Sequence, residues 1–152
     1  MTKRGAKPPL WTCPKCGHRF VTKNLWHSCV RVPLNAHFAG KPRERKQTYD
    51  RWLAAARACG RVTAYAQRSR IVFMARVRFG GAVVRKAYLD AGLWLRRRAE
   101  HPRLRRIDDY GPLGVVHHFR LERPTDIDDA LQELVREAYR VGTQELTRTT
   151  FV

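Results

Sequence analysis

Arg70-Ile71-Val72-Phe73-Met74-Ala75-Arg76-Val77-Arg78-Phe79 alternates with period two. Ile71, Phe73, Ala75, Val77 and Phe79 fall on one side. Arg70, Val72, Met74, Arg76 and Arg78 fall on the other. Successive side chains of a β-strand point to opposite faces, so the stretch predicts a strand with one apolar and one mixed, basic face. Gly80-Gly81 then reads as a hairpin turn into a strand over 82–89. Asp90-Ala91-Gly92 reads as the next turn, leading into a strand over 93–98. Further strands are expected over 103–110 and 115–121, separated by the break at Gly111-Pro112. In the last of these Val115, His117, Phe119 and Leu121 share a face.

Helical periodicity flanks this run of strands. Tyr49, Trp52, Leu53 and Ala56 recur at i, i+3, i+4 and i+7. Pro42 suits the first turn of that helix and Gly60 its end. Near the C-terminus Ile127, Ala130, Leu131, Leu134, Val135, Ala138 and Val141 form a broad apolar stripe. Thr125 is the expected N-cap, with Asp128 completing a capping box, and Gly142 is placed to stop the helix. Acids in the first turn favour the positive end of the helix dipole, so their clustering has a structural reason. Helix, antiparallel strands and helix predict an α+β, two-layer domain over 42–146 with both helices on one sheet face and the other face open.

A small module precedes it. Cys13-Pro14-Lys15-Cys16 is followed by His27-Ser28-Cys29. Zn²⁺ is borderline soft and prefers four thiolate or imidazole ligands in a tetrahedron, which paired Cys/His knuckles supply. Cys13, Cys16, His27 and Cys29 are the expected ligands of a structural Zn²⁺, with His18 and His37 in reserve. Gly17 permits the tight turn that points both thiols of the first pair inward. Phe20, Leu25 and Trp26 are expected to cap the site. Cys59, far from the cluster, reads as a small buried hydrophobe at the end of the first helix. Residues 1–10 read as a basic, disordered arm with Pro8-Pro9 as a stiff joint, 11–30 as the metal module, and 31–41 as a linker.

The 152 residues hold 31 Lys+Arg against 13 Asp+Glu, a formal net charge of +18. No acidic residue occurs before Glu44. A field of that sign attracts polyanions and speeds their association. Each Lys or Arg that neutralises a phosphate releases counterions, which makes nucleic acid the default partner. An arginine-rich genome would give the same composition with no ligand. The expected phosphate contacts are Lys15, Arg19 and Lys23 of the module and Arg76, Arg78, Arg85, Arg96, Arg98, Arg103 and Arg105 of the body. Tyr88 and Trp94 interleave with them as stacking platforms.

Trp11–Cys29 resembles the head of a family of small bacterial proteins of unknown function. The resemblance continues through His37–Pro42, Arg70–Phe73, His101–Arg103, Val116–Leu121 and Arg136–Tyr139. It implies a metal knuckle followed by an α+β domain, and names no activity. Related C-terminal domains look like those appended to predicted nuclease-like or transport-labelled bacterial proteins, and the nuclease association favours nucleic acid by analogy.

There is no Walker motif and no dinucleotide fingerprint. His101, His117 and His118 with Asp108 and Asp109 are the alternative as an acid–base site, at no recognised spacing. His117, on the apolar face of its strand, reads as a core residue. The basic N-terminus lacks the apolar core of a secretory leader, and no stretch reaches the ~20 apolar residues needed to span a bilayer. The expectation is therefore a non-catalytic, zinc-containing cytoplasmic protein that binds DNA or RNA and no membrane. The alternatives are a small-molecule or protein-binding domain with structural zinc, and an enzyme acting on nucleic acid or nucleotides.

Overall fold

A computed structural model describes residue 7 and residues 9–145. Most of the expected arm over 1–10, including half of the Pro8-Pro9 joint, lies outside the described residues, as does residue 146. Two short strands, β1 (Trp11–Thr12) and β2 (Arg19–Phe20), form an antiparallel ribbon. A 3-10 helix (Leu34–His37) and helix α1 (Arg43–Arg57) follow. Six strands come next: β3 (Thr63–Ala66), β4 (Ile71–Met74), β5 (Arg78–Val84), β6 (Leu89–Leu95), β7 (Leu104–Asp109) and β8 (Val115–Leu121). Helix α2 (Asp129–Gly142) closes the order. The fold is α+β. The six strands form one antiparallel sheet in the order β3-β4-β5-β6-β8-β7.

Both helices lie on one face of that sheet. Tyr49, Trp52, Ala55 and Ala56 of α1 and Leu131, Leu134, Val135 and Ala138 of α2 share a core with Phe73, Phe79, Leu93 and Phe119 of the strands. Strict alternation along β6 and β8 turns Leu89, Ala91, Leu93, Leu95, Val115, His117, Phe119 and Leu121 inward. The residues between them face the open side.

The quoted stretch is two strands, not one. β4 ends at Met74, the chain turns through Ala75–Val77, and β5 begins at Arg78, which pairs with Met74 beside a bulge. The turn is held from outside. The N–H groups of Arg76 and Val77 both donate to Gly142 O at 2.9 Å, the last residue of α2.

Gly80-Gly81 is consequently mid-strand. The two residues pair with Leu93 and Gly92 on one side and with Phe73 and Val72 on the other. The turn after β5 lies instead near Arg85–Tyr88, closed by Arg85 N–H donating to Tyr88 O at 2.9 Å. Asp90-Ala91-Gly92 likewise lies inside β6. At Gly80 and Gly81 glycine marks close backbone packing and not a reversal.

α2 begins later than its sequence signal. Asp128 is the N-cap, its carboxylate accepting from Leu131 N–H at 2.8 Å. Thr125 sits in a preceding 3-10 turn, Pro124–Asp126. Asp126 there accepts from Glu122 N–H at 2.7 Å and ion-pairs Arg103 at 2.8 Å. In the segment read as a linker, Val32, Leu34 and Phe38 pack against the core, and Val32 N–H donates to Ala66 O at 3.0 Å. Among the described residues no helix is long and apolar enough to cross a membrane.

Candidate metal centre and sheet-face cleft

Gly17 has φ +76 and donates its N–H to Cys13 O at 2.8 Å, which folds the Cys-x2-Cys half into a tight loop. The loop brings Cys13 and Cys16 against His27 and Cys29, with all four donor atoms within 4.8 Å of one another. Cys13 Sγ lies 3.7 Å from Cys29 Sγ. His27 Nε2 lies 3.2 Å from Cys16 Sγ and 3.4 Å from Cys29 Sγ. A tetrahedral ion with metal–sulfur bonds of about 2.3 Å has sulfur–sulfur edges of about 3.8 Å and sulfur–nitrogen edges of about 3.6 Å. The donor set therefore fits one tetrahedral metal, and there is no disulfide among these cysteines.

The surroundings suit ligation. His27 Nδ1 lies 2.7 Å from Leu25 O, to which it donates, so that in the neutral ring Nε2 is the free nitrogen toward the sulfurs. Burial resists ionisation at Cys13. The backbone N–H groups of Cys16 and Lys15 and the neighbouring thiols outweigh it and hold this thiol down to about 6. Burial and the other two sulfurs push Cys29 up to about 11. Three thiols this close do not all ionise without a cation, whereas a bound divalent ion would convert each to thiolate.

The reserve ligands have other roles. His18 is buried, its ring stacked on Phe20 with centroids 4.1 Å apart, and burial drives it down to about 4. His37 Nε2 donates to Gln67 O at 2.7 Å. The apolar cover comes from Phe20 and Trp11, both in ring contact with His27. Leu25 is exposed and Trp26 is 87% exposed, so neither caps the site. Cys59 is half-buried, with its thiol 3.6 Å from Ala55 O.

The knuckle docks on the sheet. Arg19 donates from Nε to Arg76 O at 2.9 Å and from its second nitrogen to Ala75 O, so it grips the β4–β5 turn. The His18 ring meets Tyr65 edge-on, and the Arg31 guanidinium lies 3.8 Å from the Tyr65 centroid.

Beside the knuckle, the open face forms a cleft of about 400 Å³. Its lining includes Arg70, Arg78, Asp90, Trp94, Arg106, Asp108, Tyr110 and His118. His118, from β8, lies between two carboxylates: Nδ1 is 3.2 Å from Asp90 of β6 and Nε2 is 2.9 Å from Asp108 of β7. Arg106 reaches the same Asp108 oxygen at 3.3 Å. The Asp90 hydrogen bond, above all, raises the His118 pKa, and the His118 bond lowers that of Asp108. His118 thus ties three strands together across the cleft floor. Trp94 and Tyr110 pack with ring centroids 5.5 Å apart, and Tyr110 is 52% exposed. The Arg78 guanidinium sits 5.4 Å from the Trp94 centroid.

A second, more apolar cleft of about 350 Å³ opens between the knuckle and the 110–113 turn. Phe20, Val21 and Leu25 form one wall, and Pro112 and Leu113 face them. Arg78, Trp94 and Leu113 line both clefts, which therefore share a boundary.

The other arginines and lysines singled out by sequence are dispersed. Arg76 donates to Gln144 Oε1. Arg96 holds Pro112 O and Leu113 O, both at 2.9 Å. Arg98 pairs with Asp109, Arg103 with Asp126, and Arg105 reaches Pro102 O at 2.8 Å. Arg85, Lys15 and Lys23 are exposed. Of the proposed acid–base histidines, His118 meets Asp108 in the cleft. His101 Nε2 contacts Asp128 at 3.0 Å, and His117 is buried on the opposite face. Asp90 and Tyr110 carried no local signal, because a strand Asp in a DAG triplet reads as turn chemistry.

Residues 34–142 match the family model described as "Domain of unknown function (DUF5655)", and the Cys/His knuckle lies outside the matched span. No curated protein and no solved structure matches the chain.

Proposed function

Because the chain belongs to the DUF5655 family, whose description assigns no activity, we propose from the geometry that it binds single-stranded nucleic acid. In this reading Cys13, Cys16, His27 and Cys29 hold a Zn²⁺ ion that keeps the knuckle folded beside the open sheet face. A closed four-ligand site has no position free for substrate, so the ion's contribution is structural. The observation that carries the reading is the cleft, which Arg70, Arg78 and Arg106 line together with the Trp94–Tyr110 pair. Cationic side chains track phosphates and aromatic faces stack on unpaired bases, a combination tolerant of sequence. The knuckle holds two short strands and no helix to enter a major groove, which disfavours duplex readout. Both ring nitrogens of His118 are engaged by carboxylates, so binding is favoured over acid–base chemistry.

Fluorescence anisotropy of a labelled single-stranded oligonucleotide, titrated at several salt concentrations, tests this. The reading predicts tight binding at low salt and a linear fall of log K with log salt. No binding at low salt overturns it.

A further inference from the structure

Arg78 stands apart from the arginines around it. It is half-buried, yet among the described residues its guanidinium has no ion pair and no hydrogen-bond acceptor; its contact is the Trp94 ring. The acids of the cleft do not neutralise it, because Asp90 and Asp108 both hold His118, and Asp108 also meets Arg106. Arg70 lines the same cleft, is exposed, and has no carboxylate partner among the described residues. Burial lowers the pKa of Arg78, and the charge of Arg70 adds to that effect. A partly desolvated cation beside a like charge is costly unless an anion completes the site. The adjacent Trp94–Tyr110 pair offers an exposed aromatic surface next to that charge.

We infer that the cleft is a subsite for one nucleotide unit: Arg70 and Arg78 take its phosphate, and Trp94 with Tyr110 takes its base. The inference rests on the nucleic-acid reading above and assigns its anchor. A nucleotide within a strand and a free nucleotide present the same chemistry. The cleft's volume of about 400 Å³ falls within the range of roughly 300–1,000 Å³ for small-ligand sites.

The test uses the full, metal-loaded chain. Anisotropy measures binding of a labelled oligothymidylate, and calorimetry measures binding of AMP and of inorganic phosphate. The variants are Arg78→Gln, Tyr110→Ala (an exposed ring whose loss spares the core) and Arg51→Gln, a charge-matched change on the exposed side of α1. The expected result is oligothymidylate binding weakened about tenfold by Arg78→Gln and by Tyr110→Ala, with Arg51→Gln unchanged. AMP bound by the wild type and lost in Arg78→Gln would show that the subsite also accepts free nucleotides. AMP unbound, with the oligothymidylate effects intact, would assign the subsite to strands alone. Oligothymidylate bound equally by wild type, Arg78→Gln and Tyr110→Ala overturns the subsite and leaves the nucleic-acid reading standing. No oligothymidylate binding by the wild type overturns the nucleic-acid reading. The subsite then survives only if AMP binds and Arg78→Gln abolishes it.

Discussion

The indole N–H of Trp52, in α1, donates to the carbonyl of Gly81, in β5, at 3.0 Å. Gly81 has φ +154, and a Cβ there would collide with the carbonyl oxygen of Ile71 on the neighbouring strand. Helix and sheet therefore meet where the backbone of β5 is bare. Gly81→Ala is expected to cost roughly 3 kcal/mol or more, because the clash is with backbone. Trp52→Phe keeps most of the packing but removes the donor, at about 1–3 kcal/mol. Urea unfolding checks both: the midpoint should fall while the slope stays constant. A wild-type midpoint for Gly81→Ala would contradict the close approach.

His117 and His118 are neighbours with opposite electrostatics. His117 faces the core, where Nε2 accepts from Ala99 N–H at 2.9 Å and burial lowers its pKa. His118 faces the cleft, where Asp90 raises its pKa. Ring ¹⁵N titration followed by NMR should show His118 losing its proton above the ordinary value near 6.5 and His117 losing its proton below it. The signs for stability follow. The His118 contribution is full below pH 6.5 and is lost as pH rises through its raised value. The His117 contribution is present above 6.5 and is lost as pH falls toward its lowered value. His118→Gln should therefore narrow its gap to wild type in thermal unfolding as pH rises. The reverse titration order would contradict both placements.

Asp126 is a structural hub. It accepts from Glu122 N–H and Arg123 N–H and pairs with Arg103, joining the end of β8 to the start of α2. Asp126→Ala removes two charge-assisted main-chain hydrogen bonds and a buried carboxylate's ion pair and should cost about 2–4 kcal/mol. Arg103→Gln, which removes only the partly exposed partner, should cost about 1 kcal/mol or less. Equal losses in chemical denaturation would show that the ion pair, and not the main-chain bonds, dominates.

The parts of the fold legible in the sequence are those where one periodicity acts alone. Tyr49, Trp52 and Ala56 mark α1, and the alternation of Val115–Leu121 marks β8, because each element buries one clean face. The misread segment is β4–β5. Alternation continues through Ala75–Val77, although the chain reverses there, because the turn is set by distant partners: Gly142 O from α2 and the Arg19 guanidinium from the knuckle. Gly80-Gly81 misled for a related reason, since glycine serves a turn and a crowded strand equally well.

The meeting of Cys13, Cys16, His27 and Cys29 was legible because soft donors at short spacing have few other uses. The cleft was legible only in fragments. Trp94, Arg78, Asp108 and His118 come from separate strands, and their meeting follows from the β6-β8-β7 order, which skips a neighbour in sequence.

Arg19 is the joint between knuckle and body. Its donors satisfy two carbonyls of the β4–β5 turn, and no carboxylate pairs with it among the described residues. Arg19→Leu should leave metal content unchanged and cost the body only about 1–2 kcal/mol. Amide exchange at 75–77 and throughout the knuckle should quicken. Unchanged exchange there would show that docking does not depend on Arg19 and rests on the Tyr65 and Gln67 contacts.

The decisive measurement concerns the four side chains that organise the front of the chain. Native mass spectrometry of protein purified without chelator should show one zinc ion per chain, and Cys16→Ser or His27→Ala should abolish it. Metal-free wild-type protein, or an intact mass showing a Cys13–Cys29 disulfide in its place, would contradict the account.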